Sequence, residues 1–136
     1  VLMAGLPGDI VPALLTCATG GLVHGHREIA EMMGVNRFQP SACVVMATEG
    51  YPESYPNGSI IEGVDAANDV EDVTVFHAGT DKDSDQKLIA VGGRVLGVTA
   101  VGNDLKDAIS KAYAGVDKID WPQGFNRKDI GWRALK

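Results

Sequence analysis

The chain has 136 residues, enough for one domain or for one domain with a short arm, and a core of that size folds without metal or disulfide staples. Hydrophobic residues make up 45% and charged residues 22% of the chain, which excludes an intrinsically disordered protein. The net charge of −6 argues against nucleic acid as a partner, because that role needs a basic surface that displaces counterions.

Two short helical segments are predicted before the first strand. The stretch GDIVPALLTCATGG, at residues 8–21, has Asp9 as a cap, Pro12 in the first turn where a missing N–H costs nothing, and a glycine pair as a stop. A weaker helical turn is predicted in HREIAEMMG, at residues 26–34, which ends on a glycine.

Cysteine and histidine residues are few and do not form a recognisable metal or redox motif. Cys17 and Cys43 lie among apolar neighbours, so buried reduced thiols in a cytoplasmic protein are predicted. His24 and His26 would share a face of an extended segment, but without a third ligand nearby we expect no metal site. No apolar run is long enough to span a membrane and nothing resembles a signal peptide, so no membrane partner is expected.

From Ser41 onward the pattern becomes that of strands joined by turns. The apolar run SACVVMAT has strand length, and YPESYPNG after it is typical of a turn. A polar loop is predicted in TDKDSDQ, at residues 80–86. Short strands with tight turns favour a mainly antiparallel sheet. The further predicted strands are GSII at 58–61, DVTVFHA at 72–78, KLIAVGG at 87–93 and RVLGVTAV at 94–101.

One long amphipathic helix is predicted after the last of these strands. Apolar residues recur at helical spacing from Leu105 to Ile119, while charged residues fall on the opposite face. Asn103 is a natural cap for this helix. The aromatic and basic tail, at residues 121–135, is predicted to pack back onto the sheet as a strand or coil. The residues alone therefore predict an α+β domain.

The pair Gly92 and Gly93 admits a structural and a functional interpretation. It lacks the spacing of a Rossmann fingerprint or a P-loop, and a strand of eight residues separates it from the helix, so the motif alone favours a structural bend. Arg94 keeps a functional interpretation, because a guanidinium beside bare backbone can bind an anion through two hydrogen bonds.

Two further residues at predicted strand ends have the same ambiguity. His77, before the small-residue turn that contains Gly79, is either a hydrogen-bonded structural residue or part of a site. Tyr51 belongs to a plain turn or to a loop that delivers it to a cleft. No arrangement of nucleophile and base and no calcium-binding spacing is present, so we predict no catalytic residue and no metal ligand in the chain.

Four blocks of the sequence, in order and separation, resemble the C-terminal domain of the glycinamide ribonucleotide synthetase family, also called phosphoribosylamine-glycine ligase. The segment GDIVPALL resembles the helix that joins the family's central ATP-grasp domain to its C-terminal domain. The resemblance thus covers most of the chain. The four blocks are SACVVMATEGYPESYPNGSIIEG at 41–63, VTVFHAGT at 73–80, GGRVLGVTAVG at 92–102 and FNRKDIGWRAL at 125–135.

The resemblance implies a fold and a division of the chain. The fold is α+β, with a mainly antiparallel sheet of the barrel-sandwich (rudiment single hybrid) type, one long amphipathic helix and an N-terminal helical arm. Residues 1–40 would form the arm that joins an ATP-grasp domain, and residues 41–136 the C-terminal domain. The first residue is not Met, which we interpret as the start of a C-terminal fragment.

The resemblance also implies the reaction. The family joins glycine to 5-phosphoribosylamine, with ATP and magnesium or manganese, to give glycinamide ribonucleotide in purine biosynthesis. The glycine carboxylate is activated as an acyl phosphate, which the amine then attacks. The partners would be small-molecule substrates and the N-terminal and ATP-grasp domains of the same protein. Since the family's ATP and metal ligands lie upstream of the segment matched here, the chain alone is predicted to be inactive and to bind no cofactor.

The resemblance places the glycine-rich strand ends at the cleft that faces the ATP-grasp domain. The residues that we predict to bind substrate at this cleft are Tyr51, His77, Gly79, Gly92, Gly93 and Arg94.

The sequence departs from the family in several places, including the stretch at residues 23–40, which is longer than its usual counterpart and matches poorly. Gly5 and Pro7 stand where the family usually has an Arg and a Lys, which removes two positive charges, and Glu53 stands where a glycine is common. Two alternatives remain open: a stand-alone, non-catalytic binding module derived from this domain, and the C-terminal domain of another ATP-grasp ligase or carboxylase.

Overall fold

The computed structural model describes residues 1–20, 27, 29–31, 33–34 and 38–136. The predicted helical turn at 26–34 lies partly outside these residues, although Arg27, 29–31 and Met33 are helical. The interpretation of His24 and His26 lies outside the described residues altogether.

The described residues form two antiparallel sheets and four helices with described bounds, in addition to the helical residues between 27 and 33, which confirms the predicted α+β class and the mainly antiparallel pairing. The larger sheet has the strand order β2-β5-β1-β6, and β3 pairs with β4 in the smaller one. The strands are β1 (Ser41–Thr48), β2 (Val73–His77), β3 (Thr80–Lys82), β4 (Leu88–Ala90), β5 (Arg94–Val101) and β6 (Gly124–Asn126). The helices are α1 (Leu2–Gly5), α2 (Val11–Ala18), α3 (Val64–Asn68) and α4 (Leu105–Val116).

The core lies between helix α4 and one face of the larger sheet. The apolar side of α4, including Ala112 and Val116, packs against β1, β2 and β5. Val44 of β1 and Val98 of β5 face each other in this core, and neither is exposed to solvent. Burial of such side chains contributes about 1.5–3 kcal/mol each, so the helix and the sheet stabilise one another.

The tail returns to the sheet, as predicted, and it also contacts α4. Strand β6 pairs with the end of β1. The hydroxyl of Tyr113 on α4 donates to the carbonyl oxygen of Arg127 at 2.7 Å and accepts from the backbone N–H of Ile130 at 3.2 Å. Tyr113 therefore fixes the path of the chain beyond the last strand.

Several local predictions were wrong. Residues 58–61 form only an isolated bridge, between Ile60 and Ile89, and not a strand. The predicted polar loop at 80–86 begins with strand β3, and helix α3 was not predicted. The cap of α4 is Asp104, one residue after the predicted Asn103.

The prediction of two buried cysteines was also wrong. Cys17 is exposed on helix α2 and Cys43 is half-buried on β1, and neither forms a disulfide. On the short helix α2 only Ala13 is buried, so the apolar neighbours of Cys17 do not cover it.

The N-terminal arm contacts the larger sheet through α1 and leaves apolar side chains exposed. Ser41 donates its hydroxyl hydrogen to the carbonyl oxygen of Val1 at 2.9 Å. Asp9 accepts from the backbone N–H of Val11 at 2.9 Å, although Ile10 occupies the cap position of α2. The exposed fractions of Val11, Leu14 and Leu15 are 61%, 58% and 63%.

Within the described residues the two sheets do not close into a barrel. The barrel-sandwich arrangement therefore stays a prediction.

Candidate functional site

A shift in strand register shapes the end of the larger sheet where the candidate residues lie. Met46 is opposite Leu96, but the next residue of β1, Ala47, is opposite Arg94, so Val95 is an extra residue on β5. Such bulges bend a strand and change the direction of the side chains beside them. Here two consecutive residues of β5, Val95 and Leu96, are both buried, whereas Arg94 before them is exposed.

Thr48, at the end of β1, holds the glycine pair that precedes β5. Its backbone N–H donates to the carbonyl oxygen of Gly93 at 2.8 Å, and its hydroxyl donates to the carbonyl oxygen of Gly92 at 2.7 Å. Thr48 is fully buried. One residue thus fixes two consecutive carbonyl groups, and its buried hydroxyl has the hydrogen-bond partner that a buried polar group needs.

Both glycines of the pair lie where a side chain would crowd its neighbours. A Cβ on Gly92 would come 3.0 Å from Cα of Gly79, and a Cβ on Gly79 would come 2.8 Å from the carbonyl oxygen of Arg94. A Cβ on Gly93 would come 2.2 Å from Cδ2 of Tyr51. The close approach of the Gly79 backbone and of the Tyr51 ring therefore explains why both positions are glycine. This agrees with the structural interpretation of the pair.

An open groove of about 270 Å³ runs along the sheet face beside this turn. Gly97 on β5 is directly opposite Val45 on β1 and Phe76 on β2. Because Gly97 has no side chain, a trough opens between Val45 and Phe76, whose exposed fractions are 44% and 46%. The residues that line the groove are Val45, Phe76, His77, Ala78, Arg94, Leu96 and Gly97.

The polar groups of the groove are at its end. His77 Nδ1 lies 3.1 Å from the hydroxyl oxygen of Thr80, in a hydrogen bond whose direction depends on the tautomer. The backbone N–H of Gly79 donates to the carbonyl oxygen of Arg94 at 3.1 Å, which ties the turn after β2 to the start of β5. An apolar floor with a guanidinium and an imidazole at one end suits a ligand with an anionic group and a less polar body.

The structure brings the six candidate residues together at one end of the larger sheet. His77 and Arg94 line the groove, and Gly79, Gly92, Gly93 and Tyr51 pack against each other in the adjoining turns. Sequence reasoning missed the groove floor and Thr48. A hydroxyl that ends an otherwise apolar strand is a signal that could have drawn attention to Thr48.

Shifted pKa values occur away from the groove, at the start of α4 and in the tail. Hydrogen bonding to the backbone of Asn103 is the main cause that lowers the pKa of Asp107, and Lys111 lowers it further. The pKa of Lys111 is raised, chiefly by its hydrogen bond with Asp72 at 2.6 Å. Arg127 and Asp129 form a comparable exposed pair, in which the pKa of Asp129 is lowered. These are surface ion pairs that stabilise local structure.

Two classes of feature are absent from the part of the chain that the structure describes. No three or more His, Cys, Asp or Glu side chains there are grouped in a way that suits a metal ion. None of the helices in those same residues combines the length and the apolar character of a membrane span.

A family model described as "Phosphoribosylglycinamide synthetase, C domain" matches residues 41–133. The chain is 46% identical over its full length to "Phosphoribosylamine--glycine ligase, chloroplastic" of Arabidopsis thaliana, of which it covers 24%. It is 47% identical over 99% of its length to "Phosphoribosylamine--glycine ligase" of Phenylobacterium zucineum, of which it covers 30%. The chain thus spans about a quarter to a third of the length of these relatives.

A solved structure gives the same match at the level of the fold. The crystal structure of phosphoribosylamine-glycine ligase from Thermotoga maritima aligns with 78% of this chain and 27% of its own, with a TM-score of 0.57 and 26% sequence identity. The similarity therefore extends from the sequence to the arrangement of strands and helices.

Proposed function

Since the chain belongs to the family of the phosphoribosylglycinamide synthetase C domain, we propose that it forms the C-terminal part of a phosphoribosylamine-glycine ligase. The reaction joins glycine to 5-phosphoribosylamine with ATP, and gives glycinamide ribonucleotide for purine biosynthesis. The observation that carries this proposal is the 46% identity, over the whole chain, to a relative with that name. The relatives described above share the name, which favours this ligase over other ATP-grasp enzymes.

The proposed division of the chain is an arm at 1–40 and a C-terminal domain at 41–136. The family model begins at residue 41, which supports this boundary. The exposed apolar residues of α2, Val11, Leu14 and Leu15, would be covered by the N-terminal and ATP-grasp domains of the same protein. Relatives three to four times as long have room for such domains.

The groove would bind part of the substrate at the boundary with those domains. The guanidinium of Arg94 would hold an anionic group such as the phosphate of 5-phosphoribosylamine through charge-assisted hydrogen bonds. The contact of His77 with Thr80 uses Nδ1, and Nε2 would be free to meet the substrate. Gly79, Gly92, Gly93 and Tyr51 would shape the adjoining wall.

The chain would contribute substrate binding and closure of the substrate cleft, and it would not supply a nucleophile. Attack of the amine on an acyl phosphate depends on alignment of the two reactants and on neutralisation of phosphate charge. ATP and magnesium or manganese would be held by the rest of the protein, since the described residues do not offer a set of metal ligands. We propose the cytoplasm as the location.

The test compares the full-length protein that carries this chain with the 136-residue chain alone. We expect the full-length protein to form glycinamide ribonucleotide only when ATP, glycine and 5-phosphoribosylamine are all present, and the chain alone to give no product. A full-length protein that folds and binds ATP but forms no product would contradict the proposal. Turnover by the chain alone would contradict the assignment of ATP binding to other domains.

A further inference from the structure

One buried residue outside the groove controls the backbone from which Arg94 projects. Thr48 has no exposed surface, and its two donors are used on successive carbonyl groups, those of Gly92 and Gly93. A hydroxyl at the end of β1 is therefore linked across 44 residues of sequence to the turn before β5. The same turn is in contact with Gly79 and Tyr51, so its position is determined from three sides.

The orientation of these carbonyl groups fixes the other side of the same peptides. In a planar trans peptide the N–H points opposite to the C=O. Since Thr48 receives both carbonyl groups, the N–H groups of Gly93 and Arg94 point away from it. Because neither glycine has a side chain to restrict its backbone, these two hydrogen bonds set the orientation of the two peptide groups, while the contacts with Gly79 and Tyr51 limit the position of the turn.

We propose that Thr48 is a positioning residue for substrate binding. It acts through the turn of Gly92 and Gly93, which determines where the side chain of Arg94 lies. This inference rests on the proposed function for its substrate. Loss of the hydroxyl leaves the carbonyl of Gly92 without the donor that Thr48 supplies, while the backbone hydrogen bond from Thr48 to Gly93 remains. The Gly92 peptide can then reorient, and the position of the Arg94 guanidinium is fixed less firmly. The effect is on the placement of a binding group, so it appears in the KM for 5-phosphoribosylamine more than in kcat.

The test uses the full-length protein with Thr48→Val, which keeps the shape but lacks the hydroxyl, and Thr48→Ser, which keeps the hydroxyl. Thr99→Val is the matched control: Thr99 is equally buried on the neighbouring strand, but its hydroxyl lies 3.4 Å from the carbonyl oxygen of Gly97 and does not touch the turn. We expect Thr48→Val to raise the KM for 5-phosphoribosylamine about tenfold, with Thr48→Ser and Thr99→Val within about twofold of wild type. If Thr48→Val does not fold, Thr48→Ala takes its place.

Hydrogen exchange separates this inference from the proposed function. In the full-length protein, Thr48→Val should accelerate amide exchange at residues 92–95 at least about tenfold relative to Thr99→Val. Unchanged exchange and unchanged KM in a folded Thr48→Val protein would overturn the inference, as would a Thr48→Ser protein that is as impaired as Thr48→Val. A wild-type protein without ligase activity would instead overturn the proposed function and the substrate assigned here, while exchange still reports whether Thr48 holds the turn.

Discussion

The ring of Tyr51 occupies the space where Gly93 would carry a side chain, since a Cβ at that position would come 2.2 Å from Cδ2 of the ring. Tyr51 lies after strand β1 and Gly93 before strand β5, so this contact joins the two loops beside the groove. The ring of Tyr55 is 6.1 Å from that of Tyr51 between centroids, which limits where the Tyr51 ring can move.

Gly93→Ala should destabilise the domain by about 1–3 kcal/mol, because the added methyl displaces the ring of Tyr51. Urea unfolding followed by fluorescence or circular dichroism measures the change in free energy of unfolding. A double-mutant cycle provides the control: in a Tyr51→Ala background the same Gly93→Ala change should cost clearly less. Equal costs in both backgrounds would show that the contact does not limit this position.

Arg94→Ala in the full-length protein should raise the KM for 5-phosphoribosylamine about tenfold or more, because the guanidinium supplies charge-assisted hydrogen bonds to the substrate anion. Steady-state kinetics with each substrate varied in turn is the measurement, and the KM values for ATP and glycine should change little. Lys106→Ala removes the same charge from an exposed position on helix α4 and serves as the control. Unchanged kinetics in Arg94→Ala would show that Arg94 does not bind the substrate.

Asp104→Ala should cost about 1 kcal/mol of stability, because its carboxylate accepts the backbone N–H of Asp107 at 2.8 Å and caps α4. Asp104→Asn should keep most of this stability, since an amide oxygen also caps a helix. Thermal unfolding of the three proteins at one pH measures the difference. A larger loss for Asn103→Ala than for Asp104→Ala would instead favour the cap that the sequence predicted.

The contribution of Asp107 to stability should disappear in acid. Its carboxylate accepts from the backbone N–H of Asn103 at 2.9 Å and lies 3.4 Å from Lys111 Nζ, so its pKa in the folded state is lowered from the ordinary value of 3.8. Near that pH the unfolded state binds more protons than the folded state, and stability falls as the pH decreases through the lowered pKa. The contribution is therefore fully present above about pH 3.8 and absent well below it.

We accordingly expect Asp107→Asn to lower the Tm at pH 7, and the difference from wild type to shrink steadily below pH 3.8. Asp85→Asn, an exposed carboxylate in the loop between β3 and β4, is the control and should change the Tm little at either pH. A Tm difference for Asp107→Asn that stays constant down to pH 2 would contradict this explanation.

Local pattern determined much of the secondary structure. The apolar run at residues 41–48 predicted β1 with its observed bounds, and the helical spacing that starts at Leu105 predicted α4. The first segment is recognised by its length and by the turn residues after it, and the second by its helical period, so their own residues are sufficient to specify them. The order and separation of four sequence blocks indicated the family, which the match over residues 41–133 confirmed.

Only the tertiary structure decided how the site is built. The contact of Thr48 with Gly92, the contact of Tyr51 with Gly93 and the trough over Gly97 all depend on which residues of β1, β2 and β5 face each other. A shift of register by one residue would change every one of these pairs. The apolar pattern of a segment indicates which of its faces is buried, but it does not identify the strand that lies beside it. The sequence alone therefore determined the elements and the family, whereas long-range strand pairing decided which side chains meet at the groove.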